Sequence, residues 1–292
     1  MGQKTAQVKK RGGCLRGCLM VLLTVVVVFG IFVYFATGNL RRSDEAVLKA
    51  YQPSAEVAEI AEKTALADRG KATLYRSEPT FVDADAFVKY CLTRSRGVES
   101  LACNVPKPGG GPFGGRQIFL LKIDDPRFAD HKYPAAVHEM LHTAYQRLSS
   151  GEKKRINALL DQELARHQDD AHLNTIIQTL KEKKANDARA VYEELHSKFG
   201  VEYADLLPEL EEYYKEYFND RVKVVELFKS GGFNSRVRQL DELNFELGEL
   251  KSKGMVEQYN LKVSEAQRIY SEIQEFYKYF NPDYSLPQGN TQ

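Results

Sequence analysis

The sequence has no excess of charge of either sign. Its 41 lysines and arginines almost balance its 40 aspartates and glutamates, which leaves a formal net charge of +1. Proteins that bind nucleic acid usually concentrate basic charge, so the composition does not indicate a nucleic-acid partner. Internal repeats and low-complexity tracts are also missing. A chain of 292 residues has room for one medium domain with a targeting segment, or for two small domains.

Charged residues are missing from a long stretch near the N-terminus. Residues 17–40 contain none, and residues 1–16 contain five bases but no acid. A bilayer core of roughly 30 Å requires about 20 apolar residues in a helix, so residues 17–40 are predicted to form a transmembrane helix. A cleaved signal peptide is the alternative, but its apolar region is usually only about 7–15 residues long. The basic N-terminus predicts that residues 1–16 are cytoplasmic and that the rest of this single-pass cell-membrane protein is extracytoplasmic.

Cysteine is scarce, and none of the four cysteines forms a CxxC pair. A cysteine-rich zinc site is therefore not expected. Cys14 and Cys18 precede the apolar stretch and are expected to be reduced thiols or acylation sites. Cys91 and Cys103 follow it, on the side that is oxidising if the topology is right, and we predict a disulfide between them. Two free buried thiols are the alternative.

The rest of the sequence predicts an α+β protein that is mostly α, with strands ahead of most of its helices. Residues 43–68 have the composition of a helix, and Ala72–Arg76 is a candidate strand. Gln117–Ile123 is rich in β-forming residues and is bounded by the glycine-rich segment Pro106–Gly115, which predicts a second strand.

Helices are predicted from Pro134 onwards, where apolar residues recur at helical spacing. We expect a break near Asp169–Asp170 and a helix over Asp187–Phe199 that Gly200 ends. A further helix is predicted over Tyr203–Lys229. A helical tail completes the chain.

The segment His138-Glu139-Met140-Leu141-His142 has the spacing of a zinc site. Two histidines four residues apart lie on one face of a helix, where both imidazoles can bind one zinc ion at about 2.0–2.1 Å. Glu139 is placed to accept a proton from zinc-bound water and is the predicted catalytic base. The apolar positions of this helix fall on its other side, so the polar triplet is expected to face a cleft or solvent. A solvent-exposed helix face that carries the pattern by chance is the alternative.

A catalytic zinc ion needs a third protein ligand. The extended pattern HExxHxxGxxH is excluded, because neither its glycine nor its third histidine is present. The ligand is then expected from a later helix, where Tyr192–Ser197 offers Glu194, with Glu193 and Glu202 as rivals. A solvated acid is the alternative for Glu194, and Glu193 is expected to point toward water. We predict that His196 positions a ligand or acts on the transition state.

The HEMLH helix, followed by an acid-bearing helix with the sequence Glu-Leu-His-Ser, resembles the glutamate-liganded branch of the zincin metallopeptidases, the gluzincins. The resemblance implies that His138 and His142 are zinc ligands, that Glu139 is the base and that Glu194 is the third ligand. His196 stands where some gluzincins have an aspartate that braces the first histidine, which departs from the family pattern. The order of cysteine pair, strand and HEMLH helix is also similar to that of small single-pass bacterial envelope proteins.

An aromatic stripe lies beyond these motifs, and its expected role is core packing. It contains Tyr213, Tyr214, Tyr217 and Phe218, close to Arg221. A tyrosine or arginine of this group that stabilises the oxyanion of peptide hydrolysis is the alternative.

Together these features predict a membrane-anchored zinc metallopeptidase that uses one zinc ion to hydrolyse peptide bonds of a protein or peptide substrate outside the cytoplasmic membrane. The zincin resemblance covers about residues 72–222, and within it Ile118–Ile123 is expected to be an edge strand that pairs with extended substrate. The expected segments are a basic cytoplasmic segment (1–16), a transmembrane helix (17–40), a helical stalk (41–71), a zincin-like domain (72–230) and a helical C-terminal extension (231–292). The alternatives are a membrane-tethered helical interaction protein with a structural or degenerate zinc site, and a zinc amidase that acts on the cell wall.

Overall fold

The structure is a computed structural model. It describes residues 20, 22–29, 43–92, 101–107, 115–126, 128–183, 188–231 and 233–280. Residues 22–29 form helix α1. Among the described helices, none is both long and apolar enough to span a bilayer. Most of the predicted transmembrane helix, Cys14, Cys18 and most of the glycine-rich segment lie outside the described residues.

The chain divides into two compact units, Met1–Ala46 and Val47–Gln292. Helix α2 (Asp44–Ala50) leads into the second unit, and helix α3 (Ala55–Lys63) begins at Ser54, whose hydroxyl accepts a hydrogen bond from the Val57 amide. Helix α3 then buries an apolar face in the core. From residue 47 on, the predicted stalk therefore belongs to the same compact unit as the predicted catalytic domain.

Helix α4 (Asp68–Arg76) contradicts the predicted strand at Ala72–Arg76. Four consecutive residues of this segment, 72 to 75, are buried. Such all-round burial hides the helical period, so a short run of apolar and β-forming residues cannot be distinguished from a strand by its sequence. The hydroxyls of Thr73 and Ser77 donate to the carbonyls of Arg69 and Thr73, four residues earlier in each case.

A three-stranded sheet precedes the long helices. Its strands are β1 (Thr80–Val82), β2 (Ala102–Pro106) and β3 (Arg116–Leu121), in the order β1-β3-β2. Strand β3 pairs in parallel with β1 and antiparallel with β2. The predicted strand at 117–123 is thus present, but it is the central strand. The expectation that it is a free edge was wrong, because the short strands β1 and β2, which the sequence did not predict, cover both of its sides.

A disulfide joins the sheet to the helical segment that precedes it. Helix α5 (Ala84–Phe87) runs into a π-helical turn, Val88–Leu92, which carries Cys91. Cys91 is bonded to Cys103 of β2, with 5.7 Å between their Cα atoms. The predicted disulfide is therefore confirmed.

The remainder of the second unit is helical, which confirms the mostly α, α+β class. A 3-10 turn (Ala129–His131) leads into α6 (Lys132–Arg147), α7 (Ser150–Arg166), α8 (Ala171–Lys183), α9 (Ala188–Val201), α10 (Pro208–Tyr214), α11 (Val222–Gly231), α12 (Phe233–Ser252) and α13 (Val256–Phe280). The predicted break near residue 169 separates α7 from α8. The helix predicted over Tyr203–Lys229 begins only at Pro208 and is interrupted at residues 215–221.

Helix α6 is the centre of the core. The sheet, α4, α9 and α11 all contact it. Its fully buried apolar residues include Ala136, Val137, Met140 and Leu141. The predicted metal-binding residues are therefore on a helix that is held from several sides.

Candidate metal site

The two histidines of α6 direct their ring nitrogens at one point. The Nε2 atoms of His138 and His142 are 3.1 Å apart. Two ligand nitrogens at about 2.0–2.1 Å from one tetrahedral zinc ion would be roughly 3.3 Å apart. The spacing and the imidazole chemistry of this pair therefore fit a zinc ion.

Glu194 of α9 supplies a carboxylate to the same place. One of its oxygens is 3.7 Å from His138 Nε2, and the other is 3.7 Å from His142 Nε2. The side chains of His138 and Glu194 are 20% and 22% exposed, so both are largely buried. Two imidazoles and one carboxylate are a protein donor set found in catalytic zinc sites.

Gly200 allows α9 to approach α6 closely. A Cβ atom at this position would overlap Leu141 Cδ1 and would lie 3.0 Å from Tyr214 Cε1. The expectation that Gly200 ends the helix was wrong, since α9 continues to Val201. The glycine serves helix packing, which is what brings Glu194 within reach of the histidines.

Glu193 lies against His142 instead of pointing to water, which corrects the sequence-based expectation. Its Oε1 is 3.3 Å from His142 Nδ1 and accepts a hydrogen bond of 2.6 Å from Gln146 Nε2. Burial opposes ionisation of Glu193, but the close approach and charge of His142 outweigh burial and lower the pKa of Glu193. A carboxylate on the far nitrogen of a metal-facing histidine fixes the ring orientation.

Glu202, the other rival, is turned away from the histidines. Its buried carboxylate pairs with Lys198 at 2.8 Å. Lys198 lies between two acids, since its ammonium is also 3.9 Å from Glu194 Oε1.

Glu139 is buried, although a cleft-facing or solvent-facing position was expected. Only 8% of the residue is exposed, and a carboxylate oxygen of Glu139 lies within 4.8 Å of a nitrogen of each histidine. Burial raises the pKa of Glu139 to about 7.

The two histidines differ in their affinity for protons. Burial lowers the pKa of His138 to about 3. Burial acts in the same direction on His142, but the adjacent carboxylates of Glu193, Glu139 and Glu194 outweigh it and raise the pKa of His142 to about 9.

His196 is fully buried, and its Nε2 is hydrogen-bonded to the Tyr213 hydroxyl at 2.8 Å. Its imidazole is thus engaged in the core behind α9. Besides Glu194, the residue of α9 that contacts His138 is Ser197, whose Oγ is 3.2 Å from His138 Nε2. The role predicted for His196 has no support from these contacts.

The aromatic stripe packs in the core, as expected. Tyr214 and Tyr217 are almost completely buried. Arg221 donates to the backbone carbonyls of Phe199 and Tyr203, and it forms an ion pair with Glu211. Because these contacts hold Arg221 in the core, it is not placed to stabilise an oxyanion at the site.

Two polar residues of the sheet were missed by sequence reasoning. Asn104 of β2 donates to the Glu139 carbonyl at 2.9 Å and to Thr143 Oγ1 at 2.7 Å. Arg116 of β3 donates from Nε to Asn104 Oδ1 at 2.7 Å. The one sequence signal for Asn104 and Arg116 was that they are polar residues in strands, and this signal does not identify the residues that they contact.

Comparisons of the chain with protein-family models, with curated proteins and with solved structures gave no match. The gluzincin assignment therefore stays a prediction that depends on the residues of α6 and α9.

Proposed function

We propose that the protein is a zinc-dependent metallopeptidase anchored in the cell membrane by residues 17–40, with its catalytic domain outside the cytoplasm. The observation that carries the proposal is the convergence of His138, His142 and Glu194, with Nε2 atoms 3.1 Å apart and a carboxylate oxygen 3.7 Å from each. These three residues would hold the zinc ion, in the manner of a gluzincin.

A zinc ion at this position supplies Lewis acidity toward water and toward the scissile carbonyl. Glu139 follows the first ligand directly and lies beside both histidines. Its carboxylate accepts the proton of the attacking water and returns it to the leaving amine. Glu193 and Gln146 keep the His142 ring in place during this exchange.

The first experiment separates metal binding from catalysis in the purified full-length chain. We expect one zinc ion per wild-type chain and a large loss of zinc in His142→Ala and Glu194→Ala. Glu139→Gln should keep its zinc and lose peptide hydrolysis by about 10²–10⁴-fold, as expected for removal of a general base.

A substitution away from the site, Glu257→Gln on the exposed start of α13, serves as the control. Zinc affinity that Glu194→Ala leaves unchanged would show that Glu194 is not the third ligand. Peptide hydrolysis that survives Glu139→Gln, or that is absent from the zinc-loaded wild type, would sink the peptidase proposal.

A further inference from the structure

Arg116 brings a positive charge to the sheet side of the candidate metal site. It is the first residue of β3 and is partly buried. Its guanidinium donates through Nε to the side-chain oxygen of Asn104 and through Nη2 to the backbone oxygen of Asn104. Two contacts to one residue fix the plane of the guanidinium.

Asn104 connects this arginine to the metal-binding helix. The same amide that accepts from Arg116 donates to the Glu139 carbonyl and to Thr143 Oγ1. Asn104 is only 9% exposed, so these bonds are shielded from water. Asn104 therefore connects Arg116 to the backbone of Glu139, the predicted catalytic base.

Among the residues that the structure describes, none forms a direct ion pair with Arg116. Within that part of the chain, its hydrogen-bond acceptors are the two neutral oxygens of Asn104. Glu139 and Glu193 act on it electrostatically, and Arg189 of α9 adds a second positive charge nearby. A partly desolvated guanidinium without a bound carboxylate gains from an incoming anion.

We propose that Arg116, positioned by Asn104, binds a carboxylate of the peptide substrate beside the scissile bond. This inference rests on the proposed peptidase function and assigns its substrate class. The carboxylate is either the C-terminus of the peptide or an acidic side chain near the cleaved bond. The planar fork of arginine matches the two oxygens of a carboxylate, which a lysine ammonium does not.

The test uses random-sequence peptides prepared with a free C-terminus and with an amidated C-terminus, incubated with the zinc-loaded full-length chain. Cleavage sites and rates are determined by mass spectrometry. Preference for the free C-terminus identifies the C-terminal source, whereas preference for Asp and Glu over Asn and Gln identifies the side-chain source. Arg116→Gln should lower kcat/KM for the preferred peptides about 100-fold, mainly through KM, and leave peptides without a nearby carboxylate unchanged.

Arg236→Gln, at a side chain that is 45% exposed on α12, is the matched control, and Arg116→Lys tests whether charge alone is enough. Thermal unfolding and zinc content confirm that each variant is folded. An equal loss on all peptides, or no carboxylate preference in the wild type, would overturn the proposal.

If the protein is not a peptidase, the role of Arg116 is tested by a separate binding measurement. If the wild type cleaves no peptide, calorimetric binding to the metal-free chain decides the inference, with two peptide pairs: free against amidated C-terminus, and Asp or Glu against Asn or Gln. Tighter binding of the carboxylate member of either pair to the wild type than to Arg116→Gln supports the inference, and equal binding within both pairs overturns it.

Discussion

Neighbouring glutamates of α9 have different surroundings because each residue turns the helix by about 100°. Glu194 faces the Nε2 atoms of both histidines. Glu193 faces Nδ1 of His142 on the other side of the ring. The pair therefore combines a candidate ligand with a group that orients a ligand.

Removal of the orienting carboxylate should weaken zinc binding without abolishing it. We expect Glu193→Ala to raise the zinc Kd about 10–100-fold, the usual effect of losing a partner of a metal-binding histidine. Competition with a chromogenic chelator measures the affinity. Glu257→Ala is the control, and an unchanged Kd in Glu193→Ala would show that the contact with His142 has no orienting role.

His131 makes the stability of the fold sensitive to acid. It is 5% exposed and lies beside the rings of Phe128 and Phe276. Burial lowers its pKa from 6.5 to about 4. Between pH 6.5 and pH 4, His131 binds a proton in the unfolded chain but not in the folded chain. The contribution of the neutral, buried ring to stability is therefore complete above pH 6.5 and is lost as the pH falls toward 4, by roughly 3 kcal/mol at most.

This pH dependence can be measured by urea unfolding of the metal-free chain between pH 7 and 4.5. We expect His131→Gln to lose less stability over that interval than the wild type. Other buried histidines leave some pH dependence in both proteins. The assignment is therefore tested by the difference between the two proteins in the slope of unfolding free energy against pH. Identical slopes would contradict the assignment to His131.

At the scale of elements, the distance between α6 and α9 depends on Gly200. We expect Gly200→Ala to destabilise the fold by about 1–3 kcal/mol, because the new methyl group overlaps Leu141 and cores resist overpacking. The overlap should also push α9 away from α6, which separates Glu194 from the histidines and weakens zinc binding. Chemical denaturation and the zinc Kd measure the two effects.

Gly248 of α12 provides the matched control, since a Cβ atom there meets nothing within 4 Å. Gly248→Ala should stabilise the protein by about 0.5–1 kcal/mol, as alanine does inside an exposed helix. If Gly200→Ala were also stabilising, close packing would not be the reason for the glycine.

Apolar residues at helical spacing located α6, and β-forming residues next to a glycine-rich segment located β3. The sequence also predicted the break between α7 and α8. It did not predict β1 or β2, because three or five residues are too few to establish alternation. The sequence also gave no sign of the pairing between Asn104 and Arg116, which depends on the register of two strands.

The candidate site was predicted to the extent that it depends on spacing within one helix. His138, Glu139 and His142 share a helix, so their grouping follows from residue numbers alone. The surroundings of Glu193 and His196 do not follow from residue numbers. Residues 195 to 201 of α9 are all buried, so the helix has no water-facing side there and a helical wheel cannot say which neighbour His196 meets. The place of Glu193 depends on how closely α9 approaches α6, which spacing within one helix does not specify.

At the scale of the whole molecule, the C-terminal helices complete the core. Phe276 of α13 is 2% exposed and meets Phe128 edge-on, with 4.8 Å between ring centroids. The predicted C-terminal extension is therefore built into the compact unit that holds the candidate site. It cannot be removed without exposing apolar surface next to the start of α6.

We expect Phe276→Ala to destabilise the protein by about 3–5 kcal/mol, as truncation of a buried phenylalanine usually does. Leu261→Ala on the same helix is the control, because Leu261 is 70% exposed and its truncation should stay within about 0.5 kcal/mol. Denaturant unfolding compares the two. Similar small losses would mean that α13 is only loosely attached.

The strand order also determines when this protein can fold as it is synthesised. Strand β3 lies between β1 and β2 in the sheet, yet it follows both in the chain. Neither earlier strand has a neighbour until the ribosome has passed residue 121, whereas both cysteines of the disulfide have been made by residue 103. The two thiols can therefore be joined before any strand has paired, and the sheet is completed only as α6, the helix of the candidate site, is about to emerge.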